Sequence, residues 1–141
     1  MKVFEIQVDK RFDVYFRLAV TPTRKAMHAA IKKDDEKIPD CIGSLPKDTM
    51  GMFRSMPGHI AQDIPGVCRS NIFGVMYLNL EDMCDEVIVH ECGHAAFFWE
   101  HDARRYVGKF DEDDFEEQET FCYFLGKAVT DVKKLSRRIS G

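Results

Sequence analysis

The sequence predicts a small α+β domain with a mostly antiparallel N-terminal sheet packed on two helices, and three observations predict it. Two runs rich in β-branched and aromatic residues, KVFEIQV over 2–8 and FDVYFRLAV over 12–20, open the chain and are joined by a polar Asp-Lys-Arg turn. A third such run, NIFGVMYL over Asn71–Leu78, leads directly into a long helical stretch. The last third of the chain is amphipathic at helical spacing. With 141 residues, 45% hydrophobic and 31% charged, there is material for one core. The whole chain, 1–141, is therefore expected to be a single domain.

The first two runs read as a hairpin. Thr21 to about Lys33 opens with Thr-Pro-Thr and carries Met27, Ala30 and Ile31 at helical spacing, which predicts a short helix with proline near its start. Between Asp34 and Gly66, prolines and glycines recur too often for long elements, and the stretch reads as loop with one or two short strands. Within the Asn71–Leu78 strand, Gly74 marks a bulge or a point of close approach. Asn79 offers an N-cap, with Asp82 three residues on, for a helix from Leu80 to about His101. Apolar residues fall on nearly every side of that helix, which predicts that it is buried. A final helix spans roughly Asp113–Arg138, acidic at its start and basic at its end, as the helix dipole favours. Its main apolar stripe is Phe121, Phe124, Leu125, Ala128, Val132 and Leu135. A second, narrower stripe of Phe115, Glu119, Cys122, Tyr123 and Gly126 predicts a second packing face.

Charge and cysteine content exclude several function classes. Twenty basic residues against 24 acidic ones give a net charge of −4, so no nucleic-acid partner is expected. The basic C-terminal run reads as a solvated helix end. Five cysteines without any C-x-x-C pair argue against a disulfide framework or a thiolate zinc knuckle. No apolar run approaches the ~20 residues of a membrane span, and charge arrives too early for a signal peptide, so no membrane partner and a cytoplasmic location are expected.

The chemistry is concentrated in His90-Glu91-Cys92-Gly93-His94, an H-E-x-x-H motif in the middle of the long helix. A four-residue separation stacks both imidazoles on one face within reach of one zinc ion, and Glu91 lies at the side of that face. With five histidines and ten glutamates in the chain, such a motif arises by chance on the order of 1 time in 100. The bland alternative is two satisfied core histidines, disfavoured because a buried His pair with an acid between them is costly. Catalytic zinc takes a third protein ligand. The spacing that would place Gly and His three and six residues after His94 is absent, since Phe97 and Glu100 stand there. A carboxylate on the last helix remains, and the second stripe favours Glu119, with Glu117 the competitor and Glu116 behind it.

These residues, His90-Glu91-Cys92-Gly93-His94 followed by Glu119-Thr120-Phe121-Cys122-Tyr123, resemble the zincin-like metallopeptidases of the gluzincin type, in particular small phage-encoded metallopeptidases and ImmA/IrrE-like domains. The resemblance covers about Asn71–Gly126. It implies a zincin-like fold, zinc held by His90, His94 and Glu119, and Glu91 as the general base that activates the zinc-bound water for peptide hydrolysis, with a peptide or protein as substrate. It also implies that the Asn71–Leu78 strand is the sheet edge along which substrate lies, and a phage or mobile-element setting in host cytoplasm. Position 123 is Tyr where larger gluzincins often have Asp, and no substrate-binding insertion is evident.

An oxyanion donor is also needed, and His101, Tyr106 and Tyr123 are the candidates. His101 shares the helix face of His94 but lies about 10 Å further along the axis, too far to share the metal. Tyr123 is one turn beyond Glu119, placed to hydrogen-bond a ligand. His28 and His59 have no ligand-spaced partner, and Cys92 and Cys122 read as small packing residues. Cys41, Cys68 and Cys84 carry no assignment. The competing function is a zincin-fold binding or regulatory module that takes zinc without turning over peptide, and a weaker third is hydrolysis of a non-peptide amide. The retained Glu91 favours the enzyme, because a purely structural zinc site needs no general base.

Overall fold

The computed structural model describes residues 1–7, 15–36, 45–55, 72–100 and 114–140, with 114–118, 120 and 140 as backbone only. Four strands and three helices make up this part: β1 (Lys2–Ile6), β2 (Tyr15–Thr21), α1 (Arg24–Asp35), β3 (Gly51–Ser55), β4 (Ile72–Asn79), α2 (Asp85–Phe98) and α3 (Asp114–Ser140). An α+β architecture is thus present. None of the described helices is long and apolar enough to cross a membrane.

The strands form one mixed sheet in the order β1-β2-β4-β3. β1 runs antiparallel to β2, as a hairpin requires, with Lys2 opposite Val20 and Ile6 opposite Phe16. β2 and β4 are parallel, and β3 is antiparallel to β4. The expectation that the strand before the H-E-x-x-H helix forms the sheet edge is corrected here: among the described strands β4 is interior, and β1 and β3 are the edges. The reason lies in the composition of β4, which is apolar on both faces and has seven of its eight residues buried.

One sheet face carries α1 and the other carries α2 and α3. Ala19 and Tyr77 meet Met27 and Ile31 of α1. Phe16, Leu18, Val20, Met76 and Leu78 point the opposite way, into a core completed by α2 and α3. α1 starts where Thr23 accepts a hydrogen bond from the Ala26 N–H at 3.1 Å, an N-cap that follows Pro22.

Gly74 fulfils both roles its position suggested. Tyr15 pairs with Ile72 and Phe16 with Gly74, so Phe73 is an extra residue in β4 and turns into the core. Its ring there meets Phe16, Phe98, Trp99 and Phe124 at centroid distances of 5.4 to 6.1 Å. A Cβ on Gly74 would run into the Phe53 ring and come within 2.9 Å of the Arg54 carbonyl oxygen, so only glycine lets β3 lay Phe53 over this point.

Both long helices depart from the sequence expectation. α2 begins at Asp85, five residues after Leu80, and Cys84 occupies the N-cap without a side-chain cap bond. Asn79 does accept from the Asp82 N–H at 2.8 Å, as an N-cap would, but the bond closes a turn over 80–82. Buried Asn79 also donates to the Met50 carbonyl at 3.1 Å and to Asp82 Oδ2 at 3.0 Å, while Arg24 grips both Asp82 oxygens at 2.7 Å. These tertiary partners hold the residue in an extended strand end instead of a helix start. At its other end α2 continues through Trp99 and Glu100 as a π-helical turn.

α2 is also not buried all round. Val87, Ile88, Cys92, Ala95, Ala96 and Phe98 are buried, but Val89 and Phe97 are 46% and 58% exposed. Among its described side chains α3 has one packing face; the Phe115 side chain lies outside them. Phe124, Ala128 and Val132 are buried as expected, whereas Glu119, Cys122, Tyr123 and Gly126 of the second stripe are exposed. A second face is unnecessary because one stripe meets both neighbours: Phe124 lies 6.3 Å from the Phe16 ring of β2 and 5.9 Å from the Trp99 ring beyond α2.

Candidate metal centre

The H-E-x-x-H residues sit on the second and third turns of α2, where the helix crosses the edge strand β3. Helical spacing brings the two imidazoles together on the exposed side, with ring centroids 4.8 Å apart and Nε2 atoms 3.2 Å apart. Two nitrogens ligating one tetrahedral zinc at ~2.0–2.1 Å are about 3.3 Å apart, so this pair already has the separation of a chelating pair. Without a metal the same distance is that of an N–H···N hydrogen bond between the rings.

Glu91 behaves in the opposite way. It is 5% exposed, turned inward from the histidine face towards β3. Its Oε1 lies 3.8 Å from His90 Nε2, and its carboxylate accepts a hydrogen bond from the Phe53 backbone. Its Oε2 is buried with no hydrogen-bond partner among the described residues. Burial pushes the Glu91 carboxyl above the usual carboxylate range, opposed by the two nearby imidazoles and the Phe53 amide. The cost foreseen for two buried histidines is therefore carried by the acid alone, since His90 and His94 reach solvent.

Gly51 makes this arrangement possible. A Cβ at that position would stand 3.1 Å from Glu91 Cγ, 3.2 Å from Leu78 Cδ2 and 3.2 Å from Val87 Cγ1, so the bare strand lets α2 approach. Phe53 and Gly51 were not singled out from the sequence. The one signal was an isolated glycine between Met50 and Met52, which marks close backbone approach in a strand pattern.

The other candidates are dispersed. Glu119 is exposed on α3, and among the described residues no group of three or more His, Cys, Asp or Glu is gathered as a metal site. The argument that small residues bring this stretch of α3 close to α2 also fails, because a Cβ on Gly126 would meet nothing within 4 Å. The Glu117 and Glu116 side chains, like His101, Tyr106, His59, Cys41 and Cys68, lie outside the described residues. Tyr123 is 62% exposed on α3.

His28 has a structural role, its Nε2–H donating to the Thr49 carbonyl at 2.8 Å and tying α1 to the approach to β3. Cys92 is fully buried and burial pushes its thiol up to about 12, which fits a packing residue. Cys122 is exposed, against expectation, since it belongs to the solvent face of α3. Comparison with protein-family models, curated proteins and solved structures gives no match.

Proposed function

We propose that this protein is a zinc-dependent metallopeptidase, with zinc held by His90, His94 and a carboxylate of α3, Glu119 before Glu117. One observation carries the reading: two imidazole nitrogens at chelating separation beside a buried carboxylate that keeps an oxygen unpartnered. A histidine pair alone would serve a structural ion equally well. An acid kept buried at a desolvation cost, within 3.8 Å of one of those imidazoles, is the group a proton-transfer step needs.

Zinc bound there supplies Lewis acidity, lowering the pKa of a water towards ~7 and polarising a peptide carbonyl. Glu91 takes the proton of the attacking water and delivers it to the leaving amine. The Phe53 amide steadies the carboxylate, and Oε1, 3.8 Å from His90 Nε2, is the oxygen on the histidine side. Burial raises the basicity of that carboxylate, which suits a group that must hold the proton between two steps. The Tyr123 hydroxyl and His101 remain the proposed donors to the oxyanion. Binding of zinc without peptide turnover is the competing reading.

Zinc content of the purified protein tests the centre. One equivalent is expected in the parent and in Glu91→Gln, and none in His94→Ala. Zinc held as tightly by His94→Ala as by the parent overturns the site. Glu119→Ala should weaken zinc binding more than Glu117→Ala, and the reverse moves the third ligand. Digestion of a mixed peptide library, read by mass spectrometry, should be lost in zinc-loaded Glu91→Gln. A zinc-loaded parent that cuts no peptide leaves the binding module.

A further inference from the structure

Beside the His90–Glu91 pair lies a cavity of about 360 Å³, a volume within the ~300–1,000 Å³ range of ligand pockets. The segment Thr49–Gly51 forms one wall, and Glu86, Val87, His90 and Glu91 form the other. We propose that this cavity is the subsite for a basic side chain, arginine or lysine, next to the scissile bond of a peptide substrate, with Glu86 the residue that selects it. The inference rests on the peptidase reading above and names its substrate class.

The walls divide by chemistry in the way such a side chain does. Val87 and Met50 offer apolar surface for a methylene stem, while Glu86 brings a carboxylate to the same cavity. Glu86 precedes His90 by four residues, so it stands just over one turn, about 6 Å, along the same helix face. That offset from the chelating pair is the reach of a side chain adjoining a bond held at the centre. Among the described residues no cation pairs with Glu86, although its neighbour Asp85 is engaged by Lys133 at 3.2 Å. Glu91 also borders the cavity, but its carboxylate is buried and serves as the base, so Glu86 is the acid open to a ligand. An exposed carboxylate on the wall of the cavity favours a cation and disfavours an acidic side chain.

Nuclear magnetic resonance titration of the full-length chain, with and without one equivalent of zinc, tests this with three probes: N-acetyl-arginine amide, N-acetyl-norleucine amide and N-acetyl-glutamate amide. The arginine probe should shift the Met50, Gly51 and Val87 amides and bind about tenfold more tightly than norleucine, as a charge-assisted hydrogen bond provides. Glu86 is exposed, so Glu86→Gln should stay folded and lose that preference. Norleucine or glutamate binding as tightly as arginine overturns the subsite, and so does an unchanged preference in Glu86→Gln. A chain that takes zinc at His90 and His94 yet shows no basic preference refutes the subsite alone. A chain that binds the arginine probe but never takes zinc refutes the peptidase reading.

Discussion

Asp82 and Glu91 stand nine residues apart, and their side chains are equally withdrawn from water, 10% and 7% exposed. Every acceptor of Asp82 is used. Arg24 bonds each oxygen at 2.7 Å and Asn79 adds a third bond, so its carboxyl is held below the usual range, led by the Arg24 hydrogen bond. A lowered folded pKa contributes stability above the ordinary carboxylate value, which is lost as pH falls through the lowered one. Glu91 keeps one oxygen without a partner among the described residues and is pushed the other way by burial. The first carboxylate belongs to a closed network that joins α1, β4 and the turn before α2. The second is held at a cost to stability, which a fold sustains where the group has chemistry to perform.

The largest effect should come from breaking the closed network. Asn79 is 1% exposed, accepts from the Asp82 N–H and donates to the Met50 carbonyl. Asn79→Ala removes those bonds, leaves their part-buried partners unpaired and empties a buried side-chain site, a loss of about 3 kcal/mol in urea denaturation. A loss below about 1 kcal/mol would show that water replaces the side chain there, and the contrast between the two acids would weaken.

This network also marks the limit of what the sequence could say. The Asn79-to-Asp82 spacing correctly announced a side-chain-to-backbone bond, but an N-cap and a turn share that bond locally. Arg24, 58 residues away from Asp82, decides between them. Similarly, the four-residue period of His90 and His94 fixed their convergence without knowledge of any other element, because one helix supplies both. Gly74 was legible because a bulge and a close approach leave the same residue behind. What surrounds Glu91 was not legible: the Phe53 amide and Gly51 belong to a short edge strand in a stretch whose pattern is broken by proline and glycine. The second stripe of α3 misled for a related reason, since small residues permit close packing without requiring it.

An intermediate effect should follow from crowding the open site. In Gly51→Ala the new methyl would press on Glu91, Leu78 and Val87 at 3.1 to 3.2 Å. Leu78 is fully buried and Val87 and Glu91 nearly so, which leaves none of them a free end to swing aside. A destabilisation of about 2 kcal/mol is expected, with Glu91 displaced and peptide turnover falling further than the folded fraction does. The result that counts against the arrangement is turnover that falls only in step with folding.

The smallest effect has the opposite sign and separates the two acids most directly. Glu91→Gln keeps an oxygen for the Phe53 amide and removes the charge that burial penalises. In chelator, so that zinc does not enter the balance, the variant should be more stable than the parent by about 1 kcal/mol near neutral pH. Truncating a fully partnered acid removes interactions; neutralising a half-partnered one removes a cost. If urea denaturation instead shows Glu91→Gln less stable by the same margin, the carboxylate is held as Asp82 is, by partners that need its charge. It would then be a structural acid, and the case for it as the base in hydrolysis would fall with it.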